Sequence, residues 1–264
     1  MAQELIFRDV EVTSGEIEIC KIGVKDLWDA LMEGIEDFNF KPTIIVFLFV
    51  FYPLIALAVT LFSLNQNLMH LAFPIVAGFT LFGPVVLVCL YEMSRYRERG
   101  LDVTWRSAFD FVHSSSFATI LALSVLMMLL YVAWLFMAQF IYIGRFGAVP
   151  FSSFSDFMTQ VFTTRNGAGL IMYGTAIGFI FAVVALSISV VSFPLALDKP
   201  VSSVTAIKTS IKAVFTNPLI MALWGLIVSV LLIAGTLTLL IGLIVVVPIL
   251  GHATWHLYRK LIKP

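Results

Sequence analysis

PLIMALWGLIVSVLLIAGTLTLLIGLIVVVPILGHATWHLY, residues 218–258, is an apolar run about twice as long as the roughly 20 residues that carry a helix across a bilayer's hydrocarbon core. Gly235, Thr236, Thr238 and Gly242 offer the place to reverse, so the run reads as two antiparallel helices, about 218–235 and 239–258. Four further apolar windows of spanning length lie at about 43–63, 71–91, 117–141 and 169–195, which makes six transmembrane helices. The composition agrees: 60% of residues are hydrophobic, 12% are charged and the mean hydropathy is +1.02, values that no soluble globule of this size combines.

Loop charges give the orientation, because short basic loops stay in the cytoplasm. The tail before the first span (Arg8, Lys21, Lys25, Lys41), the second loop (Arg95, Arg97, Arg99, Arg106), the fourth (Lys199, Lys208, Lys212) and the C-terminus (Arg259, Lys260, Lys263) lie on one side. Only Arg145 and Arg165 lie on the other, so both termini are expected in the cytoplasm. The acidic start, with Glu4, Asp9 and Glu11 and no apolar core, speaks against a cleaved signal peptide. Residues 1–22 read as a cytoplasmic tail and 23–264 as the membrane domain.

Short amphipathic segments precede the odd-numbered spans. Val24, Leu27, Trp28, Leu31, Ile35 and Phe38 form one stripe; Val204, Ile207, Ile211, Val214 and Phe215 form another; Trp105, Ala108, Phe109 and Val112 form a weaker third. Each even-numbered span holds a proline (Pro84, Pro194, Pro248) ahead of a polar exit. The expected fold is therefore an all-α, polytopic membrane bundle of three hairpins, each preceded by a helix lying on the cytoplasmic membrane surface. A further stripe, Phe154, Phe157, Met158, Val161 and Phe162, is expected on the outer surface.

Candidate sites are few. His252 and His256, at i and i+4, share a helix face and would make half of a metal site; Glu92 and Asp198 leave their helices on the same side as the other half. Against this stands an interfacial reading: Trp255, Tyr258 and Arg259 suit a membrane aromatic belt, and Arg95, Arg97 and Arg99 suit anionic headgroups. Gly174 and Gly178 form a GxxxG pair for close helix packing. His70 and His113 lie at opposite depths, which argues against haem, and Cys20 and Cys89 belong to no CxxC pair. No cofactor is expected. Sixteen basic residues balance sixteen acidic ones, so nucleic acid is not an expected partner.

The stretches AGFTLFGPVVLVCLYEMSRYRERG (77–100), SISVVSFPLALDKPV (187–201), TNPLIMALW (216–224) and PILGHATWHLYRKL (248–261) resemble domain-of-unknown-function family 2189, bacterial integral membrane proteins without an established activity. The resemblance implies a bacterial inner-membrane protein and lends no catalytic residue. The residues themselves favour a non-enzymatic scaffold, assembly factor or accessory subunit that contacts the bilayer and membrane-protein partners, a respiratory complex among them. A carrier or channel for a small apolar or weakly polar molecule, and a metal-dependent enzyme at the cytoplasmic face, are the alternatives.

Overall fold

The computed structural model describes residues 17–41, 70–147, 151, 153–238 and 242–263. The expected first span, 43–63, lies outside them, as do residues 1–16 of the tail. The described chain is all-helical: α1 (Val24–Phe40), α2 (Ala72–Phe79), α3 (Gly83–Glu98), α4 (Phe117–Phe146), α5 (Phe154–Thr163), α6 (Arg165–Ser189), α7 (Ser192–Asp198), α8 (Ser203–Thr216), α9 (Pro218–Leu237) and α10 (Leu243–Leu261), with 3-10 turns at Thr80–Phe82 and Ser107–His113. Residues 17–41, 84–125 and the described part of 186–263 make one compact unit; 70–83 and the described part of 126–185 make the other.

Among the described residues three helices are long and apolar enough to cross a membrane: Phe117–Phe146, Arg165–Asp198 (α6 and α7 together) and Pro218–Leu237. They answer to the expected third, fourth and fifth spans. Large side chains such as Leu129, Phe136, Phe140, Phe179, Ile180 and Val230 point outward from them, an arrangement that suits lipid and not water as the solvent. Where the fourth span bends, at residues 190–191, the N–H of Val191 donates to Ser210 Oγ at 3.2 Å. A side chain thus satisfies a backbone donor that the bend takes out of the helical ladder.

The expected second span, 71–91, is interrupted. Pro84 has no N–H to complete the helical ladder, and the chain tightens into a 3-10 turn at Thr80–Phe82 before α3 begins. The expected sixth span, 239–258, is described from Leu243 onward as α10, and its second half, Pro248–Leu261, is buried in protein. At the α9–α10 junction a Cβ on Gly242 would stand 2.8 Å from Gly235 Cα, so the helix ends meet through two glycines. Thr238 Oγ1 accepts from Gly242 N (2.9 Å) and donates to Gly235 O (2.8 Å).

In the first unit α1 lies against α10. Its docked face is Leu27, Ala30, Gly34, Asp37 and Phe38, which only partly coincides with the stripe read from the sequence. Gly34 sets the approach: a Cβ there would meet Ala253 N at 2.6 Å and Cα at 2.8 Å, both backbone atoms that cannot move aside. The chain ends join the same unit. Cys20 N donates to Leu261 O (2.8 Å), Lys263 N to Glu18 O (3.2 Å), and Asn217 receives Ile22 N while donating to Cys20 O.

In the second unit Trp134 sits at the centre, its Nε1 donating to Pro74 O at 2.8 Å. Gly178 leaves room for that indole, since a Cβ would stand 3.2 Å from it, whereas Gly174 faces open space. The two glycines of the GxxxG pair differ: Gly178 accommodates a side chain, whereas a Cβ on Gly174 would meet nothing within 4 Å among the described residues. α5 is capped by Ser153, whose Oγ accepts from Asp156 N, and it buries Phe157 and Val161 in an aromatic cluster with Tyr142 and Phe146. Tyr142 also stacks on His70 at 3.8 Å.

These contacts separate two glycine substitutions. Gly34→Val is expected to release α1 from α10, a loss of about 3 kcal/mol from overpacking, seen as faster amide exchange throughout 24–40. Gly174→Ala is expected to be neutral or slightly stabilising by the same measurement and by thermal unfolding in detergent. Equal protection of α1 in both variants would disprove the docking geometry.

Candidate functional site

The buried end of α10 presents two faces. His252, His256 and Lys260, four residues apart, face α1; Trp255, Tyr258 and Arg259 face α3 and α7. On the first face Asp37 is the centre. It is only 5% exposed. Its carboxylate accepts from Ser94 Oγ (2.5 Å), from Arg97, and from His256 Nε2 (2.8 Å), with His252 Nδ1 at 3.8 Å. Glu33, one turn earlier, takes His256 Nδ1 (3.2 Å) and Lys260 Nζ (3.0 Å).

Hydrogen-bond counting assigns the tautomer of His252. Ser94 has a single hydroxyl proton and gives it to Asp37, so the 2.8 Å contact between Ser94 Oγ and His252 Nδ1 requires an N–H on Nδ1. Nε2 is then a bare acceptor, buried and without a partner among the described residues. Burial opposes ionisation of Asp37, but the hydrogen bonds from His256 and Ser94 and the His256 charge outweigh it, and the carboxyl falls from 3.8 to about 2.

On the second face Trp255 Nε1 donates to Glu98 (3.1 Å), Arg259 bridges Glu98 (2.9 Å) and Asp198 (3.1 Å), and Tyr258 donates to Asp198 (2.9 Å). Arg99 reaches Asp198 from outside at 3.4 Å. Deeper in, the fully buried Glu92 pairs with Arg95 at 2.6 Å, and Arg95 also donates to the carbonyl of Leu197. Burial raises the Glu92 carboxyl above its usual range, with the Arg95 charge working against that shift. Five carboxylates (Glu33, Asp37, Glu92, Glu98, Asp198) thus meet five arginines and lysines (Arg95, Arg97, Arg99, Arg259, Lys260), drawn from α1, α3 and the turn that follows it, α7 and α10.

The four residues read as two halves of a metal site go to different partners. His252 and His256 face Asp37, Glu92 faces Arg95, and Asp198 faces Tyr258 and the arginines. Among the described residues no group of three or more His, Cys, Asp or Glu is arranged to hold a metal. Trp255 and Tyr258, read from the sequence as belt residues, are 0% and 1% exposed, so protein and not lipid surrounds them. Arg95 and Arg97, read as headgroup ligands, are engaged by Glu92 and Asp37. Asp37, Ser94 and Gly34 were absent from the sequence reading; the small residues Ala30 and Gly34, four apart beside the apolar stripe, are the signal that a second face was meant to dock.

Two hollows border the network. One, of about 10 Å³, is lined by Asp37, Ser94, Arg97 and His252 among others and matches a single water in size. The other is a shallow surface depression of about 220 Å³ over Glu33, Glu36, Asp37, Arg97, Glu98 and His256. Both are smaller than the chambers that enclose organic ligands.

Apolar helices of membrane-spanning length with outward-facing large side chains define an integral membrane protein. Residues 72–198 match the model of a family described as "Predicted integral membrane protein (DUF2189)", which bears out the resemblance read from the sequence over that stretch. No curated protein and no solved structure matches the chain. The matched stretch runs from α2 to α7 and includes Glu92, Ser94, Arg97 and Asp198; the partners on α1 and α10 lie outside it.

The depressed Asp37 carboxyl makes a pH prediction. A group that ionises at about 2 when folded and 3.8 when unfolded stabilises the fold fully above about pH 4 and loses that contribution as pH falls toward 2, about 2 kcal/mol in all. Asp37→Asn is expected to cost about 3–5 kcal/mol at neutral pH, because it leaves the Arg97 guanidinium without its carboxylate and His256 with Glu33 alone. The variant should also lack the acid limb in a thermal-stability profile across pH 2–5; an unchanged limb would assign it to other carboxylates.

Proposed function

We propose that this is a non-enzymatic bacterial inner-membrane protein, a scaffold, assembly factor or accessory subunit, with both termini in the cytoplasm and the six-span plan completed by residues 43–63. The observation that carries this reading is the self-neutralised network. The carboxylates that acid–base or metal chemistry would use are each held by an arginine, lysine or histidine of the same chain. Such an arrangement fixes helices together and leaves the outward apolar faces of α4, α6 and α9 as the surfaces presented to lipid and to other membrane proteins.

Affinity purification of the tagged protein in mild detergent or nanodiscs, followed by mass spectrometry, is expected to return a stoichiometric membrane-protein partner. Recovery as a lone monomer with a reproducibly bound small molecule would overturn the accessory reading and favour a carrier. For the orientation, a C-terminal fluorescent-protein fusion is expected to mature and an alkaline phosphatase fusion at the same point to be inactive. The reverse pattern would invert the assignment.

A further inference from the structure

Arg95 and Arg97, first read as headgroup ligands, are engaged by Glu92 and Asp37, yet the first unit carries another surface fit for that task. On α1 the docked face leaves an adjacent apolar face free: Val24, Trp28, Leu31 and Ile35, at i, i+4, i+7 and i+11, with Trp28 61% exposed. Asp26, Asp29, Glu33 and Glu36 occupy the remaining side of the helix. α8 repeats the register. Val204, Lys208, Ile211 and Phe215 stand at the same spacing on its outer side, with Phe215 74% exposed, while Ala206, Thr209, Ser210 and Ala213 are buried.

Two features name the occupant. Four residues after Phe215, Leu219 is 83% exposed in the first turn of α9, so the exposed end of the α8 stripe leads directly into a helix long and apolar enough to cross a membrane. Lys25 and Lys212 flank the stripes and Lys208 stands within the second; all three are exposed and have no ion-pair partner among the described residues. Apolar side chains level with a transmembrane surface and edged by free lysines suit the boundary between acyl chains and anionic headgroups.

We propose that the outer faces of α1 and α8 rest in the interface of an anionic bilayer, with Trp28, Phe215 and Leu219 at the acyl boundary and Lys25, Lys208 and Lys212 on lipid phosphates. α1 is then wedged between protein and lipid: one face docks on α10, the next lies on the membrane, and the acidic side turns to water. The inference is independent of whether a partner subunit exists.

Spin labels test the depth. In a Cys20→Ser, Cys89→Ser background, Trp28→Cys, Phe215→Cys, Glu36→Cys and Val230→Cys are labelled and the full protein is reconstituted into nanodiscs of phosphatidylglycerol and phosphatidylcholine. Labels at 28 and 215 are expected to collide with oxygen in preference to a water-soluble nickel chelate, as at 230, and the label at 36 to show the reverse. Nickel access at 28 and 215 overturns the inference, and so does shielding from both reagents, which would mean that protein covers these faces. Loss of oxygen preference at 230 would instead strike at the membrane assignment of α9, so the two failures are distinguishable. In parallel, a Lys25→Gln, Lys208→Gln, Lys212→Gln variant is expected to lose its preference for phosphatidylglycerol in native mass spectrometry, by up to about fivefold per lysine. Retained preference would remove the lysines from the proposal.

Discussion

Asp37 is the residue on which the polar end of this protein turns. A carboxylate removed from water is stable only if its oxygens are filled, and here Ser94, Arg97 and His256 fill them from two other helices. Because α3 and α10 each contribute, the charge can be satisfied only when all three helices are in register. Gly34, one turn earlier, permits the close approach this demands, and the two features are one constraint seen at two positions of α1. The N-terminal segment then runs alongside the C-terminus, where the backbone of Cys20 meets Leu261.

This constraint divides the chain's polar inventory. Charged side chains at the ends of membrane helices have two competing uses: they face headgroups, or they bind one another in a site partly sheltered from water. Arg95, Arg97 and Arg259 take the second course, since each has a carboxylate within reach in a setting where Coulomb attraction is weakly screened. Lys208 and Lys212, on a helix whose inward side is Ala206, Thr209, Ser210 and Ala213, have no such partner among the described residues and are exposed. A basic count alone treats both groups alike, so it does not separate arginines held by carboxylates from lysines left exposed.

The same distinction explains how much of the molecule could be read in advance. The expected third, fourth and fifth spans are each decided by a local window of apolar residues, and helices appear where those windows lie. The proline-bearing second span keeps its position but loses continuity at Thr80–Phe82, because a missing N–H is a local fact with a geometric consequence that hydropathy does not register. Trp255 and Tyr258 were misplaced for a different reason. An aromatic residue beside a basic one at a helix end suits a membrane belt and a buried donor equally well, and the choice falls to Glu98 and Asp198, acids 157 and 60 residues away in sequence. Pairings of that separation leave no periodic trace, so Asp37, Ser94 and His252 become a site only when three helices are assembled.

The extent of the family match sharpens this point. Residues 72–198 hold Arg97, Glu98 and Asp198, while their counter-charges Asp37 and Arg259 lie before and after that stretch. The matched portion therefore carries half of a charge network. Isolated, it would expose Glu98 and Asp198 without the arginine that bridges them and would leave Arg97 without its carboxylate, each an unfavourable state in a sheltered site. α1 and α10 accordingly belong to the same structural unit as the matched helices α3 and α7. The coupling is reciprocal: removing either flank unbalances the charges of the other, since His256 and Asp37 have no partner that replaces the one they lose.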